Sequence, residues 1–151
     1  MSFIESIQQY KTITVDTAPM IYFIEAHERY GSLMRDFFAL FPSTKHNLIT
    51  STLAITEVLI KPIQLHQHEL VERFLYLLRT EHNLKLLDID QELAHKAAEI
   101  RAKNSFLKTV DAVFLATAIN TNSEAFLTND IKLKQVSGLN LDILVLNDYT
   151  K

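Results

Sequence analysis

Ile13-Thr14-Val15-Asp16-Thr17-Ala18-Pro19-Met20-Ile21 is the stretch from which the fold is read. Its β-branched start favours a strand. The aspartate ends that strand, and Asp16 or Thr17 can cap a helix whose first turn accepts Pro19. A strand therefore runs straight into a helix, and the same alternation continues along the chain. Asn47–Thr50, Leu84–Leu87, Ala125–Thr128 and Ile143–Leu146 are further short apolar runs that read as strands. Between them lie helical patterns. Tyr30–Phe41 is closed by Pro42, and a helix capped by Ser51 or Thr52 runs to Ile60, with Pro62 as punctuation. Leu65–Arg79 is amphipathic, Asp90 caps a polar helix reaching Asn104, and Asp111–Asn120 is apolar all round. Strands separated by helical crossovers predict an α/β protein with a mainly parallel sheet of about five strands, covered by helices on both faces. Ligands of such sheets bind beyond the carboxyl ends of the strands.

Composition narrows the classes. The 151 residues suit one domain, and with two glycines and three prolines there is little room for linkers or low-complexity stretches. Hydrophobic residues are 48% and charged residues 22%, as in a folded soluble chain. The absence of cysteine excludes a disulfide framework and a thiolate site, and fits a cytoplasmic location. No apolar run reaches the roughly 20 residues of a membrane span, and the N-terminal residues lack a secretory pattern. A formal charge of −3 makes the whole molecule no magnet for nucleic acid, so such contacts would rest on local basic patches or on metal ions.

Four acids draw the chemistry to one rim. Asp16 leaves the first strand, and Asp130 follows the fourth in Phe126-Leu127-Thr128-Asn129-Asp130. Either alone could be a turn or cap residue. Glu57 sits in Leu53-Ala54-Ile55-Thr56-Glu57-Val58-Leu59-Ile60, with Leu53, Ala54 and Ile60 as helical neighbours. A charge there is costly unless it is paired or binds a cation, or unless the helix simply exposes a greasy stripe. Asp111 opens the apolar helix, as an N-cap, a metal ligand or both. If the four meet, like charges about 4 Å apart repel by roughly 4 kcal/mol at an effective dielectric near 20. Such a cluster requires protons or a cation. Oxygen-only ligands select Mg²⁺ or Mn²⁺, and such ions promote phosphodiester hydrolysis.

These residues resemble the PIN-domain family. Val15-Asp16-Thr17-Ala18-Pro19-Met20-Ile21-Tyr22 is similar to its first motif, and Ser51-Thr52-Leu53-Ala54-Ile55-Thr56-Glu57-Val58-Leu59 to its second. Thr109-Val110-Asp111-Ala112-Val113-Phe114-Leu115-Ala116-Thr117-Ala118 resembles the third, and Phe126-Leu127-Thr128-Asn129-Asp130 the fourth. The resemblance implies a PIN-like three-layer α/β/α sandwich over residues 1–151, with 1–11 as an N-terminal extension. It implies an endoribonuclease in which Asp16, Glu57, Asp111 and Asp130 bind Mg²⁺ or Mn²⁺ and act catalytically. Thr17 and Thr128 or Asn129 would assist at metal water or phosphate. It further implies a VapC-type toxin that cuts RNA, pairs with an antitoxin protein and forms a homodimer. A housekeeping RNA-processing nuclease, or a non-catalytic module on the same fold, is the alternative.

Lys108 and Lys132, with Arg101, Lys103 and Lys134, flank the acids and suit RNA phosphates, although solvated helix faces explain them equally well. The six histidines form no H-E-x-x-H pattern, and His66 and His68 point apart on a helix, which argues against zinc. No G-x-S-x-G elbow or phosphate-binding glycine loop exists. A phosphatase of the haloacid-dehalogenase type would need an acid where Ala18 stands. Phe37, Phe38, Leu40 and Phe41, and Phe74 to Leu78, read as core helices, with any exposed remainder available to a partner.

Overall fold

Because Ile13, Thr14 and Val15 are all buried, the strand they form has to lie between two layers. The computed structural model, which describes residues 1–40, 45–80 and 84–150, places this strand, β1 (Thr12–Val15), at the centre of a five-stranded sheet. β2 (Asn47–Ser51) and β4 (Ala125–Thr128) flank it, and β3 (Leu84–Leu87) and β5 (Asp142–Val145) form the edges, in the order β3-β2-β1-β4-β5. Thr14 stands level with Ile49 on one side and with Phe126 on the other. Every pairing is parallel, so the sheet is wholly and not just mainly parallel.

The strand order dictates the layers. From β1 the chain moves one way, through α2 (Thr17–Ile24) and α3 (Gly31–Ala39) to β2, then through α4 (Leu53–Gln64) and α5 (His68–Thr80) to β3. It then returns past β2 and β1 to β4 through α6 (Gln91–Lys103) and α7 (Thr109–Asn120). Right-handed crossovers that travel in opposite directions put their helices on opposite faces. The result is the expected three-layer α/β/α sandwich. α7 lies on β1, β2 and β4 with α6 packed outside it, while α2 packs against α3, α4 and α5. Sandwiched between sheet and helix, α7 buries every residue from Ala112 to Ala118, which accounts for its lack of a polar face. Between α2 and α3, Ala26 turns with a φ of 50°, and a Cβ on Gly31 would stand 2.9 Å from its carbonyl carbon. Only glycine lets that turn close.

Some boundaries differ from the sequence-based expectation. α4 continues through Pro62 to Gln64, with the Pro62 ring buried and one helical hydrogen bond forgone for want of its amide. The helix ends where His66 adopts a φ of 54°. α7 begins at Thr109 rather than Asp111, which moves Asp111 into the first turn. Of the two caps considered for α4, Ser51 supplies the bond, its hydroxyl accepting from the Leu53 amide at 3.1 Å. Asp90 caps α6 as expected, accepting from the Leu93 amide at 2.8 Å. Phe41 and Pro42, read as the end of α3, lie outside the described residues, as does His82.

The N-terminal extension is part of the core. Ser2 and Glu5 form a capping box, the Glu5 amide donating to the Ser2 hydroxyl at 3.2 Å and the Ser2 amide to the Glu5 carboxylate at 2.7 Å. This starts α1 (Phe3–Ile7), which buries Phe3 and Ile7. Phe3 packs on Phe37 of α3 and edge-on against Tyr149, with ring centres 6.0 and 5.0 Å apart. Phe3→Ala is therefore expected to cost about 3–5 kcal/mol. Urea denaturation measures this, and a loss below about 1 kcal/mol would mean that α1 is dispensable.

Candidate active site

The chain reverses its direction of travel across the sheet between β1 and β4, so their carboxyl ends border the switch-point crevice where α/β sheets bind ligands. Asp16 leaves β1 there, and Thr128, Asn129 and Asp130 leave β4. The Asp16 amide donates to the Leu127 carbonyl at 2.9 Å, which carries the β1–β4 pairing past the last residue of β1. The side chains are then locked locally. Asp16 caps α2 through Oδ1, which accepts from the Thr17 amide at 2.8 Å. Its Oδ2 accepts from the Thr128 hydroxyl at 2.7 Å. Thr128 is fully buried, and the same hydroxyl accepts from the Asp130 amide at 3.1 Å. One threonine thus holds one acid by its side chain and the other by its backbone.

Asp130 caps the short 3-10 turn Ile131–Gln135, with Oδ1 accepting from the Lys132 amide at 3.0 Å. Asp111, in the first turn of α7, accepts from the Lys108 amide through Oδ2 at 3.1 Å. Each acid therefore serves a helix start, where aligned peptide dipoles favour negative charge. Asp111 and Asp130 each keep one oxygen without a hydrogen-bond partner among the described residues.

Burial pushes the Asp16 carboxyl above its ordinary range, against the pull of the hydrogen bonds from Thr128 and the Thr17 amide. The charges of Asp111 and Asp130 push it the same way, which puts both of them within electrostatic reach of Asp16. Among the described residues, no lysine or arginine forms an ion pair with any of them. Glu57 stands apart. It is exposed on α4, whose buried face is Ala54, Val58, Leu59 and Pro62, and it shares no hydrogen bond with the three aspartates. Of the two alternatives for its apolar neighbours, the exposed stripe is the one observed, and Ile60 on the same helix is itself 49% exposed.

The donor set suits a hard cation. It consists of carboxylate oxygens at an uncompensated negative site, with no sulfur and no histidine. Among the described residues, no three acids or histidines converge closely enough to form a ready cage. Mg²⁺ does not require one, because it keeps several waters and is held by one or two carboxylates together with substrate phosphate.

The remaining candidates fall into two groups. Thr17 is half-buried, with its hydroxyl 3.5 Å from Asp16 Oδ1, and Lys108 and Lys132 are exposed and without ion partners among the described residues. Other polar groups are engaged in the fold. Asn129 donates to the Tyr22 hydroxyl at 3.1 Å and accepts from the Asn147 amide at 2.9 Å, so both ends of its side chain hold the β4 exit in place. Lys134 pairs with Asp148, and the Arg101 Nε donates to the Leu107 carbonyl at 2.8 Å. Tyr22 and Asn147, which sequence reasoning passed over, complete the Asn129 network with Tyr30, whose hydroxyl donates to Asn147 at 3.0 Å. No local pattern marks them, because their partners are distant in the chain.

A doubly wound α/β sheet with aspartates gathered at its switch point defines the class of protein. The family model described as PIN domain matches residues 13–139, and the chain belongs to that family. Solved structures share the fold. A chain of VapBC2 from Rickettsia felis, bound to a promoter DNA fragment, is 17% identical with a TM-score of 0.71, over 87% of this chain and 98% of that one. A VapC toxin of Mycobacterium tuberculosis, described as cleaving the sarcin–ricin loop, is 15% identical with a TM-score of 0.68, over 86% and 98%. DNA-bound VapBC from Salmonella typhimurium is 19% identical with a TM-score of 0.62, over 88% and 98%. No curated protein matches the sequence.

Proposed function

We propose that this chain is a divalent-metal-dependent endoribonuclease acting as the toxin of a VapC-type toxin–antitoxin pair. The observation that carries the reading is Asp16, held by Thr128 at the β1–β4 switch point within electrostatic reach of Asp111 and Asp130, with no lysine or arginine paired to them among the described residues. Asp16, Asp111 and Asp130 would hold Mg²⁺ or Mn²⁺. Glu57, exposed on α4, would join them as the fourth acid that the resemblance implies. When bound, the ion supplies Lewis acidity toward the phosphodiester and activates the attacking water. Thr128 and the Thr17 amide keep Asp16 oriented, and Asn129 fixes the backbone that carries Asp130. Thr17, Lys108 and Lys132 bind phosphate oxygens of the RNA.

Purified protein is expected to cleave RNA with Mg²⁺ or Mn²⁺, to stop with EDTA, and to leave 5′-phosphate and 3′-hydroxyl ends. Cleavage that persists in excess chelator, or that yields cyclic phosphates, would sink the metal-water mechanism. A chain that binds RNA without cutting it would be the non-catalytic module instead. The toxin assignment draws on the toxin–antitoxin complexes, two of them VapBC, among the related folds. It further draws on a groove of about 580 Å³ between α2 and α5, walled by Phe23, Ile24, Tyr76 and Leu77, in which an antitoxin segment can lie. Ile60, Ile63 and Leu65 form an exposed apolar face suited to a homodimer. Among the described residues, no helix is long and apolar enough to cross a membrane. An antitoxin that blocks cleavage at stoichiometric ratio separates the toxin from a housekeeping nuclease.

A further inference from the structure

Two exposed apolar side chains stand close to the aspartates along the chain and form no hydrogen bond to them. Ile131, 61% exposed, directly follows Asp130, and Phe106, 45% exposed, stands two residues before Lys108, whose amide binds Asp111. Isolated exposed apolar residues are common and by themselves mean little. The loop carrying Phe106, however, is tied down from behind. Asn104 is buried, its Nδ2 donating to the Ile100 and Ser137 carbonyls at 3.0 and 3.2 Å and its Oδ1 accepting from the Ser137 amide at 2.9 Å. Leu107 is buried too, its amide donating to the Asn104 carbonyl at 3.0 Å and its carbonyl accepting from Arg101. The chain thus buries the residues on both sides of the Ser105–Phe106 tip and presents the aromatic ring to solvent on a held loop. Lys103 and Lys108, both exposed, flank that tip.

A pre-positioned aromatic face with cations beside it matches one chemistry, an unpaired nucleobase and its adjoining phosphates. Bases in a duplex are already stacked on one another and cannot offer their faces. We propose that Phe106 is a stacking platform for an unpaired base of single-stranded RNA, beside the nucleotide whose phosphate meets Asp16, Asp111 and Asp130, with Ile131 as an apolar contact on the Asp130 side. This rests on the ribonuclease reading and adds a base-contacting residue to it.

The test is fluorescence anisotropy with the full chain, Ca²⁺ replacing Mg²⁺ and strand integrity checked on a gel. The probes are oligoadenylate and an abasic strand of the same length, which carries the same phosphates and no bases. Wild type is expected to bind oligoadenylate about tenfold more tightly than the abasic strand, the weight of one base–aromatic stack. Phe106→Ala should bind both strands at the abasic level with an unchanged melting temperature, and Phe106→Trp should restore the preference. A wild type that cleaves RNA, alongside a Phe106→Ala protein that still prefers oligoadenylate, removes the platform and leaves the nuclease standing. Tighter binding of a blunt RNA duplex than of oligoadenylate also overturns it. A wild type that neither cleaves RNA nor binds oligoadenylate removes both readings.

Discussion

Asp16→Asn is expected to lower RNA cleavage on the order of a hundredfold or more, and yet to melt higher than wild type in metal-free buffer at neutral pH. On the proposed metal mechanism, the activity loss follows from replacing a carboxylate by an amide, a poorer ligand for a divalent cation. The stability gain follows from burial, which raises the Asp16 carboxyl, and from the charges of Asp111 and Asp130, which add to the shift. The native state therefore holds the Asp16 proton more tightly than the unfolded chain does. The stabilisation linked to that proton is fully present below the ordinary aspartate range and is lost as pH rises through the raised native value. Above that raised value the wild type carries the whole penalty of a buried charge, and the asparagine carries no charge. Acidification should narrow the gap, and added Mg²⁺ should narrow or reverse it, because bound ligand stabilises by about 2.7 kcal/mol at a hundredfold excess over Kd. Thermal melts across pH, with and without Mg²⁺, alongside a cleavage assay, measure both effects. If Asp16→Asn melts lower in metal-free neutral buffer, the bonds from Thr128 and the Thr17 amide outweigh the burial and the repulsion.

Phe126→Ala should be among the most destabilising single changes in the chain. Phe126 is fully buried in β4, level with Thr14 of the central strand and Ile143 of the edge strand. Truncation removes its burial energy and leaves a cavity that paired strands on both sides cannot close, a loss of about 3–5 kcal/mol. In a domain of this size each kcal/mol lowers the melting temperature by about 2–4 °C, so a fall on the order of 10 °C is expected. Two residues on, Thr128 positions Asp16, so cleavage should fail at temperatures the wild type tolerates. Phe126→Leu, which keeps most of the volume, should cost less than about 1.5 kcal/mol if it repacks. A denaturant midpoint for Phe126→Ala within about 1 kcal/mol of wild type would show that β4 is not a mechanical centre.

Local physics made much of the fold legible. The β-branched run at Ile13–Val15, the Asp16 and Asp90 caps and the unbroken apolar pattern of α7 each depend on neighbours within a few residues, so they can be read without coordinates. α1 carried its Ser2–Glu5 capping signature too, but its five residues are too few to establish a helical period. Three of the four acids, Asp16, Asp111 and Asp130, were visible as strand-exit or helix-start residues, because those positions are defined along the chain. Other properties depended on which surfaces the folded chain turned toward each other. Glu57 has apolar neighbours in sequence, yet α4 rotates its Ala54, Val58, Leu59 face inward and leaves Glu57 in water. The Thr128 hydroxyl finds Asp16 across 112 positions, and Asn129 finds Tyr22 across 107. Such contacts exist only once β1 and β4 lie side by side, and strand order is set by the reversal of the crossovers rather than by any local run. The sequence alone thus determined which elements form and which residue types stand at their ends. Tertiary structure alone decided which of those ends meet and how strongly their charges oppose one another, because Coulombic energy and desolvation depend on distance and burial, which no linear spacing contains.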